Sequence, residues 1–167
     1  MAVEDKYIDA SVAAGKKGNP GKVAGGKVLE ITGTFEMAAA DSDGSIYRLA
    51  RLPANAIPVE ATLFADAAVD ATDVDLGLYH ENLGAVVDAD LFADGLNLTA
   101  GIAITVNGNN GLTNLGGADP LAALGKKLWE LLGLDAPTRG GYDLALTANT
   151  AGGAAGTVGY RFRYILG

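Results

Sequence analysis

His80 is the one histidine of this 167-residue chain, and cysteine is absent. A catalytic histidine needs a nucleophile beside it and an acid behind it. No serine stands at a diagnostic spacing from His80, which leaves only a triad assembled from distant residues. A histidine that closes the apolar alternation VDLGLY reads as a structural residue. Without cysteine there is no thiolate for catalysis or metal binding, and no disulfide. Carboxylates are more plentiful. They gather at Asp66, Asp70, Asp73 and Asp75, and again at Asp88, Asp90 and Asp94. Paired acids hydrolyse glycosides, and clustered oxygen ligands bind calcium. DSDGS at 41–45 carries part of a calcium-loop pattern, but its glycine is fourth and Leu52 falls at the twelfth place, where an EF-hand loop has glycine sixth and glutamate last. Asp and Gly in that order build a tight turn. No phosphate-binding loop, dinucleotide fingerprint or zinc spacing occurs. These residues point away from an enzyme, and no cofactor or metal is expected.

The charge is uneven. The chain carries a net −8, yet residues 1–27 hold five lysines (Lys6, Lys16, Lys17, Lys22, Lys27) against three acids. The remaining 140 residues hold 7 basic and 17 acidic side chains. An acidic body disfavours nucleic acid, whose binding depends on neutralising phosphates. Residues 10–27, ASVAAGKKGNPGKVAGGK, are too small and polar to bury much surface and read as an extended arm. The arm is suited to an acidic protein surface. No apolar run reaches the roughly 20 residues of a membrane helix, and MAVEDKYIDA lacks the layout of a signal peptide.

Beyond the arm, period-two patterns dominate. KVLEITGTF (27–35) sets Leu29, Ile31 and Phe35 against Glu30, Thr32 and Thr34. SIYRLARL (45–52) sets Ile46 and Leu52 against Tyr47 and Leu49. LPANAIP (52–58) interrupts with two prolines. VEATLFA (59–65) and VDLGLY (74–79) follow, the latter with Val74, Leu76 and Leu78 on one face. Residues 83–118 show one strand pattern, GIAITV (101–106), among loops. YDLALTAN (142–149) aligns Tyr142, Leu144, Leu146 and Ala148. TAGGAAG (150–156) reads as a flexible hairpin connection. TVGYRFRYIL (157–166) alternates most clearly, with Val158, Tyr160, Phe162, Tyr164 and Leu166 opposite Arg161 and Arg163. Short strands divided by turn residues predict a mainly β protein, an antiparallel sandwich or barrel over 28–167.

PLAALGKKLWELLGL (120–134) predicts one short amphipathic helix, with Asp119 as N-cap, Pro120 in its first turn and Gly133 as its stop. Leu121, Leu124, Leu128, Leu131 and Leu132 share an arc of about 100°, with Trp129 at its flank. Two lysines partly offset by Glu130 are too few for a membrane-surface helix. Trp129 would suit a partner-binding helix. A helix that covers an open end or flank of the sandwich fits the width of the apolar arc.

YRLARLPANAIP (47–58), VDLGLYH (74–80), KKLWELLGL (126–134) and YDLALTANTAGGAAGTVGYRFRY (142–164) resemble small head proteins of tailed bacteriophages that act as decoration or cement proteins. The resemblance spans residues 25–167 and implies a jelly-roll sandwich on the outer surface of an icosahedral head, made in the host cytoplasm. It implies the major capsid protein as partner and a homo-oligomer, dimer or trimer, at capsid symmetry axes. The capsid-contact candidates are Lys16, Lys17, Lys22 and Lys27 of the arm, with Arg48, Arg51, Arg161 and Arg163 of the body, because arginine is enriched at interfaces. The competing expectation is a virion-borne carbohydrate-binding sandwich, with Tyr142, Tyr160 and Tyr164 as stacking platforms.

Overall fold

The computed structural model describes residues 27–66, 69–99 and 125–167, together with the backbone of 103–107. The arm up to residue 26, with Lys16, Lys17 and Lys22, lies outside the described residues, as do Asp119, Pro120, Leu121 and Leu124. Among the described residues, eight strands and one helical turn follow in order. They are β1 (Val28–Met37), β2 (Ser45–Pro53), β3 (Ala56–Ala65), β4 (Asp73–Tyr79), β5 (Val86–Leu96), β6 (Ala103–Asn107), α1 (Leu128–Leu131), β7 (Gly141–Thr150) and β8 (Gly156–Leu166).

The strands form two four-stranded sheets, ordered β1-β8-β3-β6 and β2-β7-β4-β5. Every pairing is antiparallel. First pairs with last, second with seventh, third with sixth and fourth with fifth. That nesting is a long hairpin of strand pairs wound around a core, the jelly roll. The two inner faces supply the core. Leu63 and Phe162 of the first sheet meet Leu52, Leu76, Leu78, Phe92, Leu144 and Leu146 of the second, all buried. Phe92 and Phe162 touch edge to face across the interior, their centroids 5.4 Å apart. The inward rows of β4, β7 and β8 are the ones their alternation predicts.

Four expectations need correction. Ile46 does not share a face with Leu52: it is exposed, while Leu52 is fully buried. A bulge between Arg48 and Ala50 inserts one residue against β7 and reverses the alternation. Residues 86–96, read as loop, form β5, whose pairing with β4 shifts register three times. Residues 150–156 are no hairpin connection, since β7 and β8 belong to different sheets. The segment crosses from one sheet to the other, pinned by carboxylates. Asp70 accepts the N–H groups of Gly153 and Ala154, each at 3.0 Å, Asp66 that of Thr157 at 2.9 Å and Asp43 that of Ala151 at 2.9 Å. Those backbone bonds hold the Asp70 carboxyl below the usual carboxylate range.

The fourth correction concerns the helix. Its described part is a single turn that begins after Lys127. Glu130 accepts the Lys127 N–H at 2.7 Å, the return half of a capping box. Gly133, at φ 71°, ends it as predicted. Its N–H bonds the Glu130 carbonyl and that of Leu134 the Trp129 carbonyl, a Schellman motif. Leu128 is fully buried, and the Trp129 N–H bonds Ala54 between β2 and β3. The turn therefore sits at one end of the sandwich beside β3.

Candidate functional site

The outer faces of the two sheets differ. On the first, outward residues of β1, β8 and β3 align in cross-strand rows, Glu30–Arg163–Glu60 and Thr32–Arg161–Thr62 among them. Arg163 bonds Glu30 at 2.7 Å and reaches Glu60 at 3.7 Å. Arg161 reaches Glu60 at 3.3 Å and lies 5.8 Å from the centroid of the Phe64 ring. Its Nε is buried without a partner. Phe64 is large, apolar and 41% exposed, seated beside Gly159. The face is open, with both charge signs interleaved.

The second sheet's outer face is covered by its own edge. Between Asp88 and Ala93, β5 has four residues where β4 has one, Gly77. The surplus backbone crosses over Gly77, so that a Cβ there would collide with the carbonyls of Asp88 and Ala89. Asp75, Tyr79, Asp143, Ala145 and Thr147 are consequently buried although they point away from the core. Tyr79 and Thr147 share a hydroxyl bond of 2.7 Å. Arg48 lies against the Tyr79 ring, 5.1 Å from its centroid, and donates to Asp143 at 2.9 Å, to the His80 carbonyl at 2.8 Å and to the Gly84 carbonyl at 2.7 Å. Arg51 bonds Asp143 at 3.2 Å and Asn82 at 3.2 Å.

The predicted contact residues thus fall into separate groups. Arg161 and Arg163 share one outer face, Arg48 and Arg51 the opposite one. Lys27 is exposed immediately before β1. All four arginines are paired to carboxylates of their own chain. Arg48 belongs to the fold, because it ties the 80–84 turn to β7, whereas Arg51 is half exposed.

The acidic clusters are redistributed as well. Asp66 and Asp70 clamp the 151–157 segment. Asp73 and Asp75 instead meet β5, where the Asp75 charge foremost, then burial and the Asp90 charge, raise the Asp94 pKa. Burial and Asp90 raise that of Asp88. Asp75 accepts the Gly95 N–H at 3.0 Å and the Asn149 amide at 2.7 Å. Among the described residues no group of three or more potential ligands is arranged to hold a metal ion. The DSDGS run is the tight turn that its residues predict. Asp41 accepts the Ala38 N–H at 2.8 Å and the Tyr47 hydroxyl at 2.7 Å, and Gly44 takes φ 85°.

His80 lies beside the Tyr142 ring, and its Nδ1 is buried without a partner among the described residues. The tyrosines suggested as sugar platforms face inward. Tyr142 is buried, while Tyr160 and Tyr164 pack on the core, the Tyr160 hydroxyl bonding the Leu49 carbonyl at 2.6 Å. They make no exposed stacking surface.

Tyr47 gives a measurable signature of this packing. Burial, and then its bond to Asp41, push its phenol from 10.0 to about 12. A raised folded-state pKa stabilises the fold fully below pH 10 and loses that contribution as pH rises through 12. The difference in phenolate absorbance between the parent and Tyr47→Phe should stay flat to pH 11 and appear near 12. A difference centred near 10 would mean that Tyr47 is solvated.

The fold class is an antiparallel jelly-roll sandwich, and a solved structure shares it. A chain from the capsid of Ralstonia phage GP4 superposes with a TM-score of 0.58 at 20% identity, over 86% of each chain. Looser likenesses are a chain from the capsid of Helicobacter pylori bacteriophage KHP30 (15% identity, TM-score 0.49, 85% and 90% covered) and one from the cyanophage Pam1 capsid (17%, 0.46, 100% of each). At those scores neither bears on the assignment. No protein-family model matches the sequence, and no curated protein does.

Proposed function

We propose that the chain is a structural protein of a bacteriophage head, bound on the outer surface of the shell, where it cements neighbouring major capsid subunits. The observation that carries the reading is the strand nesting, shared with the GP4 capsid chain over most of both lengths. The chain's chemistry agrees with it: Asp41, Asp66 and Asp70 brace turns and crossings, Glu30, Glu60 and Asp143 pair with arginines, and the role needs neither a titrating group nor a cofactor.

The physical logic is linkage. Confined DNA pushes the shell outward. A protein that binds only correctly spaced subunits stabilises that spacing by its binding free energy, and repetition around a symmetry axis turns modest contacts into avidity. The basic arm, with Lys16, Lys17, Lys22 and Lys27, reaches to the shell, since an extended chain spans about 3.3 Å per residue. Arg51, Arg161 and Arg163 contribute secondary contacts, and the β-body self-associates.

Occupancy on purified heads tests this. Deleting residues 1–27 should lower head occupancy at least about tenfold, the loss of one multivalent contact, while the far-ultraviolet spectrum of the body is unchanged. Undiminished occupancy would remove the arm from the mechanism. Particles that lack the chain altogether would end the head-protein reading.

A further inference from the structure

We propose that the edge of β1, uncovered by any other described strand, pairs antiparallel with β1 of a second copy about a twofold axis at Thr32, joining two four-stranded sheets into one of eight. The inference deepens the self-association in the functional reading by naming its surface.

Among the described residues the sandwich has four edge strands, β1 and β6 in one sheet, β2 and β5 in the other. An open edge presents unpaired N–H and C=O groups, and proteins blunt such edges with bulges, prolines or brevity. Three edges carry these devices. β2 has its bulge at Arg48/Ala50 and ends on Pro53. β5 changes register three times along β4. β6 has five residues. β1 has none of them. It runs ten residues from Val28 to Met37 without proline, and its pairing with β8 is unbroken from end to end. Among the described residues β8 is its one neighbour. Its inward Ile31 and Phe35 pack on the core, and they and Leu29 are only partly buried. An added strand would cover them.

The sequence of β1 selects a second copy and fixes the register. Centred on Thr32, an antiparallel pair sets Thr32 against Thr32, Glu30 against Thr34 and Val28 against Glu36. On the inner side it sets Ile31 against Gly33 and Leu29 against Phe35. Threonine pairs and aliphatic–aromatic pairs are favourable cross-strand neighbours, and large meets small at Gly33. Centring on Gly33 would oppose Glu30 to Glu36, a like-charge pair. Centring on Ile31 shortens the overlap by two residues. Arg163 already neutralises Glu30 from the β8 side, so the chosen register leaves no acid facing an acid.

A twofold axis at one residue gives a sharp test on the full chain in solution. Thr32 is exposed. Thr32→Lys and Thr32→Glu each place like charges against each other at the axis, and each should weaken dimerisation at least about tenfold in sedimentation equilibrium. An equimolar mixture of the two should restore the dimer, which also shows that both variants fold. Ile46→Lys, on the exposed side of β2, should leave the dimer intact. A parent chain that stays monomeric at about 100 µM, where a micromolar dimer is fully formed, would overturn the proposal. So would variants that dimerise like the parent, or a mixture that stays monomeric. Head occupancy is a separate measurement: a chain that dimerises this way yet is missing from particles defeats the head-protein reading alone, and one that occupies heads as a monomer defeats this one alone.

Discussion

Gly77→Ala should lower the unfolding free energy by about 3 kcal/mol or more, or abolish cooperative folding, the expected cost of severe overpacking. Gly77 lies mid-strand in β4, where glycine is otherwise a weak choice. Its function is steric. The surplus residues of β5 fold across it, and an added methyl would occupy the space of the Asp88 and Ala89 carbonyls. Those are backbone atoms, so no side-chain rotation relieves the clash. β5 would have to lift, uncovering Tyr79, Ala145 and Thr147 and moving Asp88 and Asp90 from their present places. Gly159→Ala in β8 is the matched control. There the new methyl would meet Phe64 at 3.5 Å and Thr34 at 3.7 Å, ordinary contact distances. That variant should be neutral or more stable by up to about 1 kcal/mol, through a stiffer unfolded chain. Urea unfolding of both variants decides the point. Equal stabilities would mean that β5 does not cross the sheet.

Arg48→Ala should be the second most damaging change, at about 2–3 kcal/mol. The Arg48 side chain is 18% exposed and that of its partner Asp143 11%, so the pair is largely withdrawn from water. Removing the guanidinium leaves the carbonyls of His80 and Gly84 without their side-chain donor and Asp143 with Arg51 alone. Arg48→Lys should recover only part of the loss, because one ammonium cannot span three acceptors that a planar fork reaches together. Arg51→Ala, at a side chain 52% exposed, should change stability by less than about 1 kcal/mol. Urea midpoints for the three variants test this order. If Arg48→Ala proves as stable as Arg51→Ala, the network contributes nothing. Any loss of head binding by Arg48→Ala would then have to come from a lost contact rather than a weakened fold.

What the sequence shows follows from what alternation encodes. β4, β7 and β8 are legible because apolar side chains fill the inward face of each over an uninterrupted period of two. Gly133 is legible because a left-handed residue at a helix end is a local requirement. β5 is illegible for the opposite reason: its register shifts break the period, and its aspartates and glycine look like turn chemistry. The bulge at Leu49 hides in the same way, since one inserted residue moves Ile46 to the outside without altering composition. The acidic residues mislead through adjacency. Asp70 and Asp73 are neighbours in sequence, but one clamps the crossing to β8 and the other joins Asp75 beneath Asn149. Arg48 reads as a surface arginine because its acceptors lie 32, 36 and 95 residues away. Its internal role is a product of topology.

The position of β8 bears on how the polypeptide comes off the ribosome. β8 lies between β1 and β3, so these two strands have no mutual contact to hold them until it is synthesised. The second sheet can assemble earlier, as soon as β7 emerges. A nascent intermediate therefore exposes the apolar inner sides of β1 and β3 until β8 emerges, the kind of surface that chaperones hold. Completing the first sheet then requires closing a loop of more than a hundred residues, which makes late, slow closure the expected course.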